Sequence, residues 1–108
     1  SGWGQAFASN YQINTIDDED SVVFEIQFKG KVDDGTLNVN VENGMVTISG
    51  RQVQKSQDNE EGSWVHFSSS SSFSQSFSVP YGVDENNVQI KNQGNKVILT
   101  FPKKAQEV

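Results

Sequence analysis

From Leu37 to Ser49 the chain reads LNVNVENGMVTIS, with apolar and polar residues alternating on either side of an Asn-Gly pair. A period of two is what a strand with one buried and one wet face requires, because successive side chains leave opposite faces. Asn-Gly supplies the positive φ angles of a tight hairpin turn, so the pattern predicts strands at 36–41 and 45–49 joined through Glu42-Asn43-Gly44. The same alternation predicts strands at 11–15, 21–28, 64–67, 72–79, 88–91 and 97–101, most of them separated by Asp-, Asn- or Gly-rich turns. No stretch carries an i, i+3, i+4 apolar stripe, and β-branched and aromatic residues dominate the apolar set. The chain is therefore all-β, and about eight short strands with regular turns predict an immunoglobulin-like β-sandwich.

SSSSSFSQSFSVPYGVD, from Ser68 to Asp84, mixes two signals. A serine run offers nothing to bury and reads as flexible, yet Phe73, Phe77 and Val79 share one parity and leave serines 74, 76 and 78 on the other. Residues 68–71 are accordingly expected to be loop or frayed edge. Residues 72–79 are expected to be a strand stopped by Pro80, which has no N–H for a ladder. Upstream, 53–63 with KSQDNEEGS at its centre is polar and acidic, and is expected to be an exposed excursion.

A length of 108 residues predicts one domain with a modest core. Cysteine is absent, which excludes a disulfide framework and thiolate chemistry and suits a reducing, cytoplasmic location. Fourteen acidic against eight basic residues give a formal charge of −6, which disfavours nucleic acid as a partner. No apolar run approaches the roughly 20 residues of a membrane-spanning helix. The Ser-Gly opening is expected to mark a cleavage scar on an excised fragment.

Three segments together resemble the small heat-shock proteins, specifically the α-crystallin domain of the bacterial and plant type. LNVNVENGMVTISGRQ is similar to that family's strand, turn and strand ending in Ile-x-Gly and a basic residue. FSQSFSVPYGVD resembles its Phe-x-Arg-x-Phe-x-Leu-Pro-x-Gly-Val-Asp segment, and NVQIKNQGNKVILTFPKK its closing strand pair ending in Pro-Lys. The resemblance implies an α-crystallin domain over 11–104, preceded by a residual N-terminal arm or scar at 1–10 and followed by the start of a C-terminal extension at 105–108. It implies that the excursion carries a dimer-exchange strand, Trp64-Val65-His66-Phe67, pairing with the partner's first strand, so that Tyr11, Ile13, Trp64, Val65, Phe67 and Gln75 belong to a dimer interface. It further implies a groove between LNVNV and NVQI that takes peptide or client segments, with Val39, Val41, Val88, Ile90 and Asn92 along it; alternation fixes only which residues share a face and leaves Val39, Val41, Val88 and Ile90 open between groove and core. Departures are visible: Gln75 stands where the family carries Arg, Phe28-Lys29-Gly30 replaces Leu-Pro-Gly, Gly94 shifts the closing turn by one residue, and Asn92 is polar where Leu or Met is common. The chain also ends KKAQEV, with no Ile-x-Ile motif after Pro102.

Catalytic chemistry finds little support in these residues. His66 is the one imidazole and sits on an alternating strand, where a surface or interface role accounts for it. Asp17–Asp20 and Glu60-Glu61 fall in expected loops and lack the spacing of a calcium loop. No cofactor is expected. The implied function is that of an ATP-independent holdase that binds partly unfolded client proteins, as a homodimer and in higher oligomers, by adding strands to an open edge. Two other readings stay open: a co-chaperone sandwich docking on an ATP-driven chaperone, and a carbohydrate- or cell-surface-binding sandwich using Trp3, Trp64 and Tyr81.

Overall fold

The structure is a computed structural model that describes residues 11–60 and 63–105, with the backbone alone for 54–60 and 63–68. Eight strands follow one another: β1 (Tyr11–Asp17), β2 (Ser21–Phe28), β3 (Lys31–Val32), β4 (Asn38–Glu42), β5 (Met45–Glu60), β6 (Ser63–Ser78), β7 (Gln89–Asn92) and β8 (Lys96–Pro102), with 3-10 turns at Asp34–Thr36 and Glu85–Asn87. They form two antiparallel sheets, one ordered β1-β2-β8-β7 and the other β3-β5-β4 with β6 added to β5. Since β6 pairs with β5 along its whole length, β4 and β3 must share the opposite edge of β5.

The sheets face each other through alternate residues. In β2, Val22, Phe24, Ile26 and Phe28 are buried, and in β8 Val97, Leu99 and Phe101 are fully enclosed. Val46 and Ile48 of β5 close over them from the other sheet. Aromatic rings stitch β2 to β6: Phe24 meets Phe77 edge-on at 5.4 Å, and Phe28 meets Phe73 at 5.4 Å. Such ring pairs contribute about 0.5–1.5 kcal/mol each beyond their area. The parity read from FSQSFSV is therefore the parity of burial.

The β4–β5 turn is the expected Asn-Gly hairpin, with φ of 52° at Asn43 and 76° at Gly44. The β7–β8 turn departs from the family pattern without a bulge. Gly94 takes φ 75° at the first central position, Gln93 N–H donates to the Lys96 carbonyl at 2.8 Å, and the ladder continues unbroken from Asn92↔Val97.

Four expectations are corrected. The described part of the excursion expected at 53–63, the separate exchange strand and the frayed serines 68–71 all belong to one antiparallel pair of sixteen-residue strands, in which Ser68 to Ser71 pair with Lys55 to Gln52. An antiparallel ladder is made by main-chain groups, so it runs through a serine tract or an acidic stretch without regard to side chains. Beyond Val53 the arm 54–60 pairs with β6 alone, and its seven residues at about 3.3 Å each reach roughly 23 Å past β3. Thr36 belongs to a 3-10 turn rather than a strand: Asp33 Oδ1 accepts from Gly35 N–H at 3.2 Å, and Thr36 Oγ1 donates to the Asp33 carbonyl at 2.7 Å. A two-residue strand, β3, goes unseen in the sequence because two residues carry no period. The number of strands agrees with expectation only because β3 is added while two expected strands fuse into β6.

Two close fits explain residues that alternation leaves unexplained. A Cβ at Gly50 would lie 3.1 and 3.2 Å from the Phe73 ring and 3.5 Å from Leu37 Cα, so any side chain there presses on the Phe73 ring where β5 passes it. Gln52, 7% exposed, donates from Nε2 to the Lys29 carbonyl at 2.9 Å and ties the Phe28-Lys29-Gly30 turn to the second sheet.

Candidate functional site

The sandwich has two open sides, because among the described residues each sheet ends in strands with no further strand beside them. On one side lie β4 and β7. Ile90 stands opposite Leu99 in the β7–β8 ladder, and residues directly opposite share a face. Leu99 is fully buried, yet Ile90 is 44% exposed, since β7 is the last strand of its sheet. On the facing sheet β4 is likewise an edge, with Val39 and Val41 half-buried and Asn38, Asn40 and Glu42 exposed. Val39, Val41 and Val88 pack on the common core. The turn Glu85–Asn87 touches β4 and β8 and leads through Val88 into β7, so it holds the start of β7 beside β4. Core and groove are thus not alternatives for these valines: their inner atoms pack while their outer atoms line an open margin.

Asn92 also shares the inner parity of β7, opposite the buried Val97, but it is exposed and its carboxamide is engaged. Its Oδ1 accepts from Gly94 N–H at 3.2 Å, so the polar residue serves the hairpin turn and is not an unpaired amide in a wall.

The walls are joined by a contact that sequence reasoning missed. Glu85 accepts from the Gly44 N–H at 2.9 Å through Oε2 and 3.3 Å through Oε1. The Gly44 carbonyl in turn accepts from Val79 N–H at 2.9 Å. Asp84 caps the same 3-10 turn, accepting from Asn86 N–H at 3.1 Å and Asn87 Nδ2 at 2.6 Å. The only trace of this in the sequence is Asp-Glu-Asn-Asn after Val-Pro-Tyr-Gly-Val, a helix-start signal with no helix to start.

On the other side lie β1 and β6. Tyr11, expected at a dimer interface, is buried against Phe28 with ring centroids 6.2 Å apart, and burial raises its phenol pKa above the ordinary value. Gln75 is half-buried between Phe73 and Phe77 and lines a narrow cleft with Tyr11 and Phe28. Ile13 faces inward opposite Ile26 but is 41% exposed, again because its strand is the last in the sheet. Trp64, Val65 and Phe67 lie in the arm, their backbone paired with Asn59, Asp58 and Ser56, and their side chains fall outside the described residues, as does that of His66. Tyr11 and Gln75 come together; the arm residues stand apart from them on the far stretch of β6. The expected N-terminal arm or scar at 1–10, and residues 106–108 of the expected C-terminal extension, lie outside the described residues.

Asp18 to Asp20 form the exposed β1–β2 turn, and Asp17 at the end of β1 pairs with Lys103 Nζ at 2.6 Å. Among the described residues no group of His, Cys, Asp and Glu is arranged to hold a metal ion, and no helix is long and apolar enough to cross a membrane.

Comparison with known proteins agrees with this architecture. The pattern of the Hsp20/alpha crystallin family matches residues 14–108. Spore protein SP21 of Stigmatella aurantiaca is 26% identical over 101 residues, covering 94% of this chain and 58% of that protein, so the chain spans well under two thirds of that relative. Among solved structures, heat shock protein 16.0 from Schizosaccharomyces pombe superposes with a TM-score of 0.66 at 22% identity, over 88% of this chain and 74% of that one. A small heat-shock protein from Xylella fastidiosa gives 0.63 at 14% identity, over 91% and 89%. The rat alpha crystallin domain gives 0.54 at 13% identity, over 88% and 93%. At these identities the structural likeness is one of fold.

Proposed function

This chain belongs to the Hsp20/alpha crystallin family, and on that premise we propose that it is an ATP-independent holdase, without catalytic activity, that captures extended apolar segments of partly unfolded proteins along the β4–β7 side. The observation that carries this reading is Ile90, an isoleucine on the inner face of an edge strand whose cross-strand partner is wholly buried while it remains 44% exposed. An added strand could pair with the free main-chain groups of β4 or β7 while its alternate side chains cover Ile90, Val39 and Val41. Capture of this kind is stoichiometric. Protection of a heat-aggregating client, followed by light scattering, should scale with the molar ratio of this protein to client and be unchanged by added nucleotide. Protection that saturates at small substoichiometric ratios, or that requires ATP, refutes the reading.

Dimerisation belongs to the same proposal. Among the described residues the outer edges of β1 and β6 are unpaired, and the arm of β5–β6 extends well past β3. The backbone at Trp64–Phe67 would pair with the partner's β1, where Ile13 offers an uncovered apolar contact. Tyr11, being core, would take part through its main chain. Higher assembly, as in the Xylella fastidiosa protein whose structure is described as a distinct high order structure, and a cytoplasmic location complete the reading.

A further inference from the structure

We propose that Glu85 is a positioning residue for the β4–β7 groove, setting the spacing between its two walls so that an extended apolar segment can be received; this rests on the groove reading above. In a two-residue Asn-Gly hairpin the N–H of the second turn residue points out of the ladder and has no strand partner. Here that donor is Gly44 N–H, and it is taken by the Glu85 carboxylate at 2.9 Å. The opposite end of the lever is rigid. Asp84 N–H donates to the Pro102 carbonyl at 2.8 Å, the Asp84 side chain caps the 3-10 turn, and Val88 follows directly into β7. Glu85 therefore fastens the tip of the β4–β5 hairpin to the segment that places β7. It is the polar tie between the two walls among the described residues. What matters is the reach of the side chain: it joins the hairpin tip of one sheet to the turn that leads into the edge strand of the other.

The other restraints described fix that distance less directly: Val79 N–H holds the Gly44 carbonyl to the end of β6 in the same sheet, and Val39, Val41 and Val88 pack on the core from the two walls. β4 and β7 lie in different sheets and share no ladder, and the valines between them are only half-buried. Releasing the Gly44 N–H would let the hairpin tip move relative to β7 while the β4–β5 and β7–β8 ladders stay intact. Folding should then change little and reception of a peptide should change more.

The test separates reach from charge. Glu85→Gln keeps the length and an acceptor oxygen, Glu85→Asp keeps the charge but is one methylene short, and Glu85→Ala keeps neither. A synthetic peptide carrying Ile-x-Ile would be titrated into isotope-labelled protein and followed by NMR at Val39, Val41, Val88 and Ile90, with exchange of the Gly44 amide measured in parallel and urea unfolding run on each variant. Binding by Glu85→Asp and Glu85→Ala should weaken about tenfold, with faster Gly44 exchange, and Glu85→Gln should stay near the parent. If affinity follows charge instead, with Asp like the parent and Gln like Ala, or if all variants bind alike, the positioning role is overturned while the groove stands. If the parent itself shows no shifts at those four residues, the groove reading falls and the inference with it. Should Glu85→Ala unfold, the Gln and Asp pair decides.

Discussion

Replacing Ile90 with Asp tests the groove at its most informative residue. Ile90 is 44% exposed, so somewhat more than half of its surface is covered in the folded protomer. Full burial of an isoleucine stabilises by about 1.5–3 kcal/mol, which puts the loss at Ile90 at about 1–1.5 kcal/mol. The new carboxylate keeps access to water through the exposed half, so little desolvation is added. A domain of ordinary stability, about 5–15 kcal/mol, survives this. Leu99, directly across the ladder and fully buried, provides the contrast: Leu99→Asp loses the whole transfer term and encloses an unpaired charge, and should not fold. Circular dichroism with urea unfolding reads the first effect, and light scattering of a heated client reads the second. The expected outcome is an Ile90→Asp protein that unfolds at modestly lower urea and protects its client distinctly less, beside a Leu99→Asp protein that is unfolded. A folded Ile90→Asp variant with undiminished protection would remove the β4–β7 side from client capture. An unfolded one would show that Ile90 is core after all.

Further outcomes follow from other contacts. Gly50→Val should cost about 1–3 kcal/mol by forcing the Phe73 ring aside, and combining it with Phe73→Leu should recover part of the loss in a double-mutant cycle on urea midpoints. Because burial holds the Tyr11 phenol above the ordinary value of about 10, the folded state keeps that proton longer than the unfolded state does; stability should be whole below pH about 10 and fall as pH rises through the folded value. Tyr11→Phe should flatten that fall in urea titrations between pH 8 and 11.5, and an unchanged slope counts against the assignment. Replacing residues 54–69 by Asn-Gly, so that Val53 and Ser70 remain register partners, should leave a folded monomer in sedimentation; a persistent dimer excludes the arm as the exchange element.

Where one face of a strand is buried, the sequence by itself determined the structure. SVVFEIQF, LNVNV, MVTIS and KVILTFP carry the period of two because the sandwich core takes every second side chain, and Asn43-Gly44 had to turn because those residues tolerate positive φ. The family resemblance rested on LNVNVENGMVTISGRQ, FSQSFSVPYGVD and NVQIKNQGNKVILTFPKK, and matching over 14–108 bore it out. What the chain could not announce were features made by main-chain pairing or by contact at long range. Ser68–Ser71 and the acidic stretch before Glu60 lie in a ladder whose hydrogen bonds leave no mark on side-chain type. Whether Val39, Val41, Val88 and Ile90 are core or surface depended on which strands end each sheet, and strand order is decided by the packing of one sheet on the other. The roles of Gln52, of Gly50 and of Glu85, 41 residues from the glycine it holds, exist only once distant segments meet. Alternation is a local consequence of burial and survives in the sequence; the identity of the partner across the sandwich does not.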